Sequence, residues 1–156
     1  MKAGDPQALA ELYDRFTPLL FALALRILGS MAEAEAAIEE AWLHVWRRAA
    51  SYDARRATVA AWLAMVARGK ALERRRVAGY RAPGAQAAAS AVSSGAGEAI
   101  MQLDPHEREV LELAYFEGLT ESKIAERMGT NADAVRSRTV SGVTQLRERM
   151  PQGEWL

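Results

Sequence analysis

The side chains best suited to a chemical task are short polar and basic residues near the C-terminus. They lie in the second of two amphipathic helical segments, which together span residues 120–150 and are joined by a tight turn at residues 128–131. Helical spacing of the apolar residues leaves four polar ones exposed on this segment: Arg136, Ser137, Arg138 and Ser141. Hydroxyl side chains flanked by arginines can hydrogen-bond with base edges and phosphates in a DNA major groove. The pattern fits a helix-turn-helix and equally a plain helical hairpin that binds no DNA.

Capping residues and apolar spacing predict the helices that position these side chains. Three pairs each place an N-cap before a proline at the first helical position: Asp5-Pro6, Thr17-Pro18 and Asp104-Pro105. The apolar spacing predicts four helices in the N-terminal half, at about 6–16, 19–28, 32–49 and 58–80. In the hairpin, Thr120 can cap the first helix, Gly129 suits the left-handed residue that ends it, and Thr130 or Asn131 can cap the next one.

Composition restricts the class of protein. Alanine is abundant, aromatic residues make up 7% of the chain and β-branched runs are few, which predicts an all-α fold. Without cysteine there can be no disulfide, thiolate metal site or cysteine nucleophile. His44 and His106 have no carboxylate cluster beside them, and the sequence has no phosphate-binding glycine loop, so we expect no enzymatic activity, metal or cofactor. No apolar run has the length of a membrane span, so we expect a cytoplasmic protein without membrane insertion.

The net charge of zero hides two basic patches. Residues 68–76 carry five Lys/Arg against one acid, and residues 127–149 carry five against two. The helix dipole favours basic residues at a helix end, but five in nine positions exceed what it needs, so we expect a phosphate-contacting face at 68–76. Acids gather in the third predicted helix: Glu33, Glu35, Glu39 and Glu40. They fit either a solvated face or, beside an exposed Trp42, a docking surface for a basic partner.

Residues 81–97 form the clearest boundary in the sequence. They are rich in Gly, Ser and Ala, with a single charge and no periodicity, which predicts a flexible linker. The expected organisation is two small helical domains, a four-helix domain at 1–80 and a domain with the helix-turn-helix at 98–156. A fully extended linker of this length spans up to roughly 60 Å, so the two domains could bind well-separated sites.

Taken in order, the segments resemble the extracytoplasmic-function (ECF) sigma factors of bacterial RNA polymerase. DPQALAELYDRFTPLLFALALRILGS resembles the start of sigma region two, and EEAWLHVWRRAASYDARRATVAAWLAMVARGKALERRR resembles its continuation. LDPHEREVLELAYFEGLTESKIAERMGTNADAVRSRTVSGVTQLRERM resembles region four. The resemblance covers nearly the whole chain. It implies a transcription initiation factor that binds core RNA polymerase and promoter DNA and is held inactive by an anti-sigma factor.

The resemblance also implies roles for individual residues. The polymerase clamp would contact Glu33, Glu35, Glu39, Glu40 and Trp42. The melted minus-ten promoter element would contact Tyr52, Arg55, Arg56, Arg68, Lys70, Arg74 and Arg75. The minus-thirty-five element would contact Thr120, Lys123, Arg136, Ser137, Arg138, Thr139 and Ser141, with Thr120 and Lys123 meeting backbone phosphates.

Several positions depart from the family pattern. The clamp-binding helix has Ala36 and Glu39 where the family commonly has aspartate and glutamine, and the minus-ten helix has Gly69 where the family has asparagine. Glycine inside a helix costs about 1 kcal/mol relative to alanine. The recognition helix has Val140 and Gly142 where further basic residues are usual. These departures keep a second interpretation open, a sigma-like module that binds an anti-sigma factor or the polymerase without initiating transcription.

Overall fold

The computed structural model describes residues 5–77 and 99–149, and the chain divides into two compact units. The first unit contains α1 (Pro6–Leu28), α2 (Met31–Arg48), a short 3-10 helix (Ala49–Ser51) and α3 (Val59–Val77). The second contains α4 (Pro105–Tyr115), α5 (Glu121–Met128) and α6 (Ala132–Arg149). No strand occurs in these two described ranges, so the predicted all-α fold is confirmed. The predicted linker at 81–97 and the predicted domain boundaries lie outside the described residues.

Helix α1 is continuous where the sequence predicts two helices. Pro18 lies inside it, and the predicted helix start after Thr17 is wrong. The hydroxyl of Thr17 instead accepts a hydrogen bond from the indole Nε1 of Trp42, at 3.1 Å. One buried stripe continues across the proline at helical spacing: Phe16, Leu20, Ala24, Ile27 and Leu28. Burial of this stripe offsets the roughly 3 kcal/mol that an interior proline costs a helix.

Small residues form much of the interface among the three helices of the first unit. Alanines of α1, α2 and α3 are at most 2% exposed: Ala24, Ala34, Ala37, Ala41, Ala67 and Ala71. Larger side chains fill the spaces between them, chiefly Leu20, Ile27, Val45 and Leu63. Because alanine lets helix backbones approach closely and has the highest helix propensity, the alanine-rich composition both favours the helices and brings α2 beside α3.

Capping in the second unit follows the predictions. The carboxylate of Asp104 accepts a hydrogen bond from the backbone N–H of His106 at 2.9 Å and caps α4. The hydroxyl of Thr120 caps α5, and Gly129 ends it in the left-handed conformation with φ 63°. Of the two candidates for the next cap, Asn131 has the role, since its side chain accepts from the N–H of Ala134 at 2.8 Å. The turn of the predicted helix-turn-helix therefore has the expected local structure.

The core of the second unit lies between α4 and the two helices that follow it. Its buried side chains are Val110, Leu113, Ile124, Ala125 and Val135. Gly142 is buried on α6, where a Cβ atom would lie 2.9 Å from Cδ1 of Leu111 on α4. The glycine that departs from the family pattern thus allows α6 to approach α4 closely, and this packing fixes which face of α6 remains exposed.

Candidate nucleic-acid interface

A tight turn between the 3-10 helix and α3 presents two arginines. The carboxylate of Asp53 accepts a hydrogen bond from the N–H of Arg55 at 2.9 Å, and its carbonyl accepts one from the N–H of Arg56 at 3.0 Å. Both arginines are exposed. Tyr52 is half-buried, donates its hydroxyl to the carbonyl of Ala57 at 2.9 Å and packs against the ring of Trp62. The tyrosine therefore anchors this turn.

Two of the predicted minus-ten contacts on α3 form ion pairs with acids of the same unit. The ammonium of Lys70 lies 3.0 Å from the carboxylate of Glu73, whose pKa this hydrogen bond lowers. Arg74 reaches from α3 to α2, where it bonds to Glu33 at 2.9 Å and Glu40 at 2.5 Å. The hydrogen bond to Glu33, with a contribution from Glu40, raises the pKa of Arg74. Arg74 thus joins two helices, which sequence spacing did not indicate.

The four acids of α2 fall into two pairs with different surroundings. Glu33 and Glu40 are half-buried and bind Arg74. Glu35 and Glu39 are exposed, and neither side chain forms a hydrogen bond or ion pair with another described residue. The docking surface inferred from sequence is therefore reduced to the exposed pair, because the other two acids are already bound within the unit.

Trp42 does not belong to that exposed surface. It is 6% exposed, packs against Tyr13 with ring centroids 5.2 Å apart and donates its Nε1 hydrogen to Thr17. The prediction that Trp42 is exposed is wrong, because it lies on the face of α2 that packs against α1.

The sequence interpretation also missed two exposed apolar residues on α2. Leu43 is 55% exposed and Trp46 is 42% exposed, and they continue the line of Glu35 and Glu39 at helical spacing. Leu43 follows Glu39 by four residues and Trp46 follows Leu43 by three, and this spacing was a signal in the sequence that could have identified them. Together Glu35, Glu39, Leu43 and Trp46 form what we call the α2 outer face.

One arginine of the helix-turn-helix, Arg136, is held by two acids. Arg136 on α6 bonds to Glu121 of α5, with Nη2 and Oε2 2.8 Å apart, and its Nη1 lies 3.5 Å from the carboxylate of Asp133. The hydrogen bond to Glu121 raises the pKa of Arg136. Lys123 is exposed, and its side chain has no partner in the described ranges 5–77 and 99–149.

The polar residues of α6 divide between those whose side chains bond within the second unit and those whose side chains do not. Ser137 is exposed and Arg138 is half-buried, and neither side chain bonds to another residue that the structure describes. The hydroxyl of Thr139 donates to the carbonyl of Val135 at 2.9 Å. Ser141 donates to Glu107 of α4 at 2.5 Å, and the same carboxylate accepts a hydrogen bond from Gln145 at 2.8 Å. Ser141 therefore joins α6 to α4.

The described residues lack two kinds of feature. No helix among them is long and apolar enough to cross a membrane. The same residues contain no group of three or more histidine, aspartate or glutamate side chains arranged to hold a metal ion.

Comparison with known protein families assigns both units. The profile of sigma-70 region 2 matches residues 12–80, and that of sigma-70 region 4 matches residues 99–148. Relatives include the ECF RNA polymerase sigma factor SigK of Mycobacterium sp. strain KMS, 31% identical over 160 residues that cover 92% of this chain and 83% of the relative. SigK of Mycobacterium ulcerans strain Agy99 is 29% identical over 161 residues, covering 92% of this chain and 86% of that one.

Among solved structures, a similar chain comes from a complex of the sigma factor RpoE with the anti-sigma factor NepR from Bartonella quintana. The match is 17% identical, covers 94% of this chain and 99% of that one, and has a TM-score of 0.46. The family assignment rests on the two profiles, which match the two units in order, and on the sequence relatives across nearly the full chain. By these matches, the chain belongs to the ECF sigma factors, the transcription initiation factors of bacterial RNA polymerase.

Proposed function

We propose that this protein, without catalysing a reaction itself, recruits core RNA polymerase to a restricted set of promoters in the bacterial cytoplasm, where it contacts both promoter elements. The observation that carries the proposal is a pair of exposed surfaces in a fixed order along the chain. The unit matched by region 2 comes first and has a turn with two arginines, and the unit matched by region 4 follows it and has the helix-turn-helix surface. Either surface alone would be an ordinary basic patch. Their order along one chain supports a factor with two promoter contacts.

In the first unit, the α2 outer face is the surface that would meet the polymerase clamp. Glu35 and Glu39 offer uncompensated negative charge, and Leu43 and Trp46 offer apolar area beside it. Charged rims around aromatic and aliphatic anchors are typical of protein interfaces. Glu33, Glu40 and Trp42 would support this contact indirectly, since they hold α2 in position.

The minus-ten element would be bound by the turn and by α3. Arg55 and Arg56 are the most accessible of the predicted contacts, and Arg68 and Arg75 lie half-buried on α3. Lys70 and Arg74 would contribute only if their ion pairs with Glu73, Glu33 and Glu40 opened. We therefore assign the first contacts with the melted strand to the turn.

The minus-thirty-five element would be bound by α6, with the start of α5 on the phosphate backbone. Among the predicted contacts on α6, Ser137 and Arg138 are the two whose side chains bond to no other described residue, which leaves their donors for base edges or phosphates. Thr120 and Lys123 are exposed at the start of α5, consistent with phosphate contacts. Ser141 would act by fixing the orientation of α6 through its hydrogen bond to Glu107, whereas the hydroxyl of Thr139 bonds within α6 itself.

A second function is favoured by the same ion pairs. Lys70, Arg74 and Arg136 are neutralised within their own units, as expected of a sigma-like module that binds a protein partner, such as an anti-sigma factor, more readily than DNA. Such a partner would use the α2 outer face. The two functions differ in whether the chain supports transcription.

Run-off transcription with reconstituted polymerase separates the two functions. The full chain is combined with core RNA polymerase and with a template carrying the DNA upstream of its own gene, with core enzyme alone as the control. A transcript that depends on the added chain supports promoter recognition. Absence of both transcript and core binding, with retained binding to an anti-sigma protein, would establish the second function instead.

A further inference from the structure

The ion pair between Glu121 and Arg136 lies within the surface proposed to bind the minus-thirty-five element. Glu121 is the first residue of α5, next to Thr120 and two residues before Lys123, the two proposed phosphate contacts. A carboxylate at this point occupies the guanidinium of Arg136 that would otherwise bind DNA, and it repels a phosphate that approaches this guanidinium. An acid is therefore present where a basic or neutral residue would favour DNA binding.

Arg136 is held from two helices rather than one. Its Nη2 atom lies 2.8 Å from Oε2 of Glu121 on α5, and its Nη1 atom lies 3.5 Å from Oδ1 of Asp133 on its own helix. Both nitrogens at the end of the guanidinium, the ones that would grip the two acceptors of a guanine, are thereby engaged. The neighbouring Arg138 bonds to no other described side chain, so the restraint is specific to one of the two arginines.

We propose that Glu121 determines specificity at the minus-thirty-five element by holding Arg136 in an ion pair that a neutral guanine edge can replace, whereas a phosphate bound to Arg136 would be repelled by the carboxylate. This inference rests on the proposed function. A base edge with two acceptors in the guanidinium plane replaces the hydrogen bond to Glu121 and the 3.5 Å contact with Asp133. A phosphate also has two oxygen acceptors, but it brings a negative charge next to that of Glu121. Glu121 therefore lowers affinity for all sequences, and least for the one that Arg136 recognises.

An acid in the first turn of a helix has an ordinary explanation as well, since it interacts favourably with the helix dipole. The two explanations predict different results for DNA binding. If Glu121 interacts only with the helix dipole, its replacement changes the stability of α5, and any effect on DNA binding does not depend on Arg136. If Glu121 acts through Arg136, its replacement no longer changes DNA binding once that arginine is removed.

The test compares Glu121→Gln with Glu126→Gln in the full chain. Glu126 is exposed on the same helix and its side chain has no partner among the described residues, so the two variants remove equal charge from one helix. The probe is a pool of duplex DNA of randomised sequence, titrated in filter-binding assays at low salt. We expect Glu121→Gln to bind the pool about two- to fivefold more tightly than Glu126→Gln, as suits the loss of one exposed ion pair.

Arg136→Gln provides the second arm of the test. In that background the difference between Glu121→Gln and Glu126→Gln should disappear. When bound sequences are selected from the pool, Glu121→Gln should show a weaker base preference at one position than the wild type. Thermal unfolding of the same variants measures any purely structural effect. Equal affinities of the two glutamine variants, or a gain that persists without Arg136, would overturn the inference.

Failure of this inference is distinguishable from failure of the proposed function. If no variant binds the pool, the role assigned to Glu121 is wrong, while run-off transcription with core polymerase still decides whether the chain is an initiation factor. If the wild type transcribes and the two glutamine variants bind DNA equally, only the role of Glu121 is lost.

Discussion

The two helical glycines have different surroundings, and their substitution by alanine should have different effects. A Cβ at Gly69 would have no atom within 4 Å, whereas a Cβ at Gly142 would lie 2.9 Å from Cδ1 of Leu111. We expect Gly69→Ala to raise the free energy of unfolding of the first unit by about 1 kcal/mol, the difference in helix propensity. For Gly142→Ala, crowding against Leu111 should cancel that gain.

Urea unfolding followed by circular dichroism measures both changes. Leu111→Ala makes room for the added methyl group, so it should cost less in the presence of Gly142→Ala than in the wild type. A Gly142→Ala variant that gains as much stability as Gly69→Ala would show that α4 and α6 are not in close contact at this point.

A second prediction at the residue scale concerns the carboxyl group of Glu73. Its pKa lies below the ordinary 4.5, chiefly because of the hydrogen bond and charge of Lys70 and less because of Arg76. A lowered pKa in the folded state adds stability above pH 4.5, and this is lost as the pH falls through the folded-state value. Lys70→Met should return the pKa of Glu73 towards its ordinary value.

Carbon NMR of the side-chain carboxyl groups measures this titration directly. Arg76→Met is the matched control, since it removes a charge that contributes less and makes no hydrogen bond to Glu73. We expect a clearly smaller shift in that variant. Equal shifts in the two variants would mean that long-range charge, and not the hydrogen bond, lowers the pKa. Because Glu73 is fully exposed, the effect on overall stability should be small.

At the scale of helices, Arg74 should couple α2 to α3. Its side chain is 27% exposed and makes charge-assisted hydrogen bonds to Glu33 and Glu40. Arg74→Met should lower the free energy of unfolding by about 1 kcal/mol, which is below the usual range for hydrogen bonds to charged groups because both acids are partly solvated. Thermal unfolding measures the loss, and Arg76→Met, at an exposed position on the same helix, should have little effect.

A double-mutant cycle tests whether the loss comes from these contacts. If Arg74 acts through Glu40, then Arg74→Met should cost less in a Glu40→Gln background than in the wild type. Additive losses would show that Arg74 does not stabilise the unit through Glu40. This result also decides how a transcription defect in an Arg74 variant is interpreted, since a destabilised first unit weakens every contact that the unit makes.

The sequence predicted the helix termini well and the side-chain partnerships poorly. Asp5, Asp104, Thr120 and Gly129 act through neighbours a few residues away, so their roles follow from local chemistry. The prediction of a new helix at Pro18 was wrong because the burial that keeps α1 continuous depends on helices that come later in the chain. The all-α fold needed only composition and periodicity, which are properties of the chain itself.

The candidate sites were less predictable for the same reason. The ion pair between Arg74 and Glu33 joins positions 41 residues apart, and the hydrogen bond between Ser141 and Glu107 joins positions 34 apart. Spacing along one helix identifies which residues share a face but not which acid of another helix meets that face. The residues predicted to contact polymerase and those predicted to contact DNA consequently include pairs that bind each other.

At the scale of the whole molecule, the zero net charge and the internal ion pairs predict weak binding to DNA by the free chain. Each phosphate contact with duplex DNA contributes about −0.9 to the slope of log affinity against log salt concentration. Lys70, Arg74 and Arg136 are paired with acids. We therefore expect a slope shallower than the slope that would result if every predicted basic residue made one phosphate contact.

Filter-binding titrations across a salt series measure this slope for the free chain and for its complex with core polymerase. The complex should bind more tightly to DNA from upstream of its own gene than to unrelated duplex, while the free chain should discriminate less strongly between the two. Tight and strongly salt-dependent binding by the free chain would mean that the ion pairs open readily in solution.

The placement of the tryptophans gives α2 an optical signal. Within the described ranges, the three tryptophans all lie in the first unit, at Trp42, Trp46 and Trp62. Trp42 is 6% exposed and should emit at shorter wavelengths, whereas Trp46 is 42% exposed and should emit closer to the wavelength of indole in water. Burial of the α2 outer face by a partner would move the emission of Trp46 to the blue and leave Trp42 unchanged. The blue shift of the total emission would then report when α2 is occupied, with no label added to the protein.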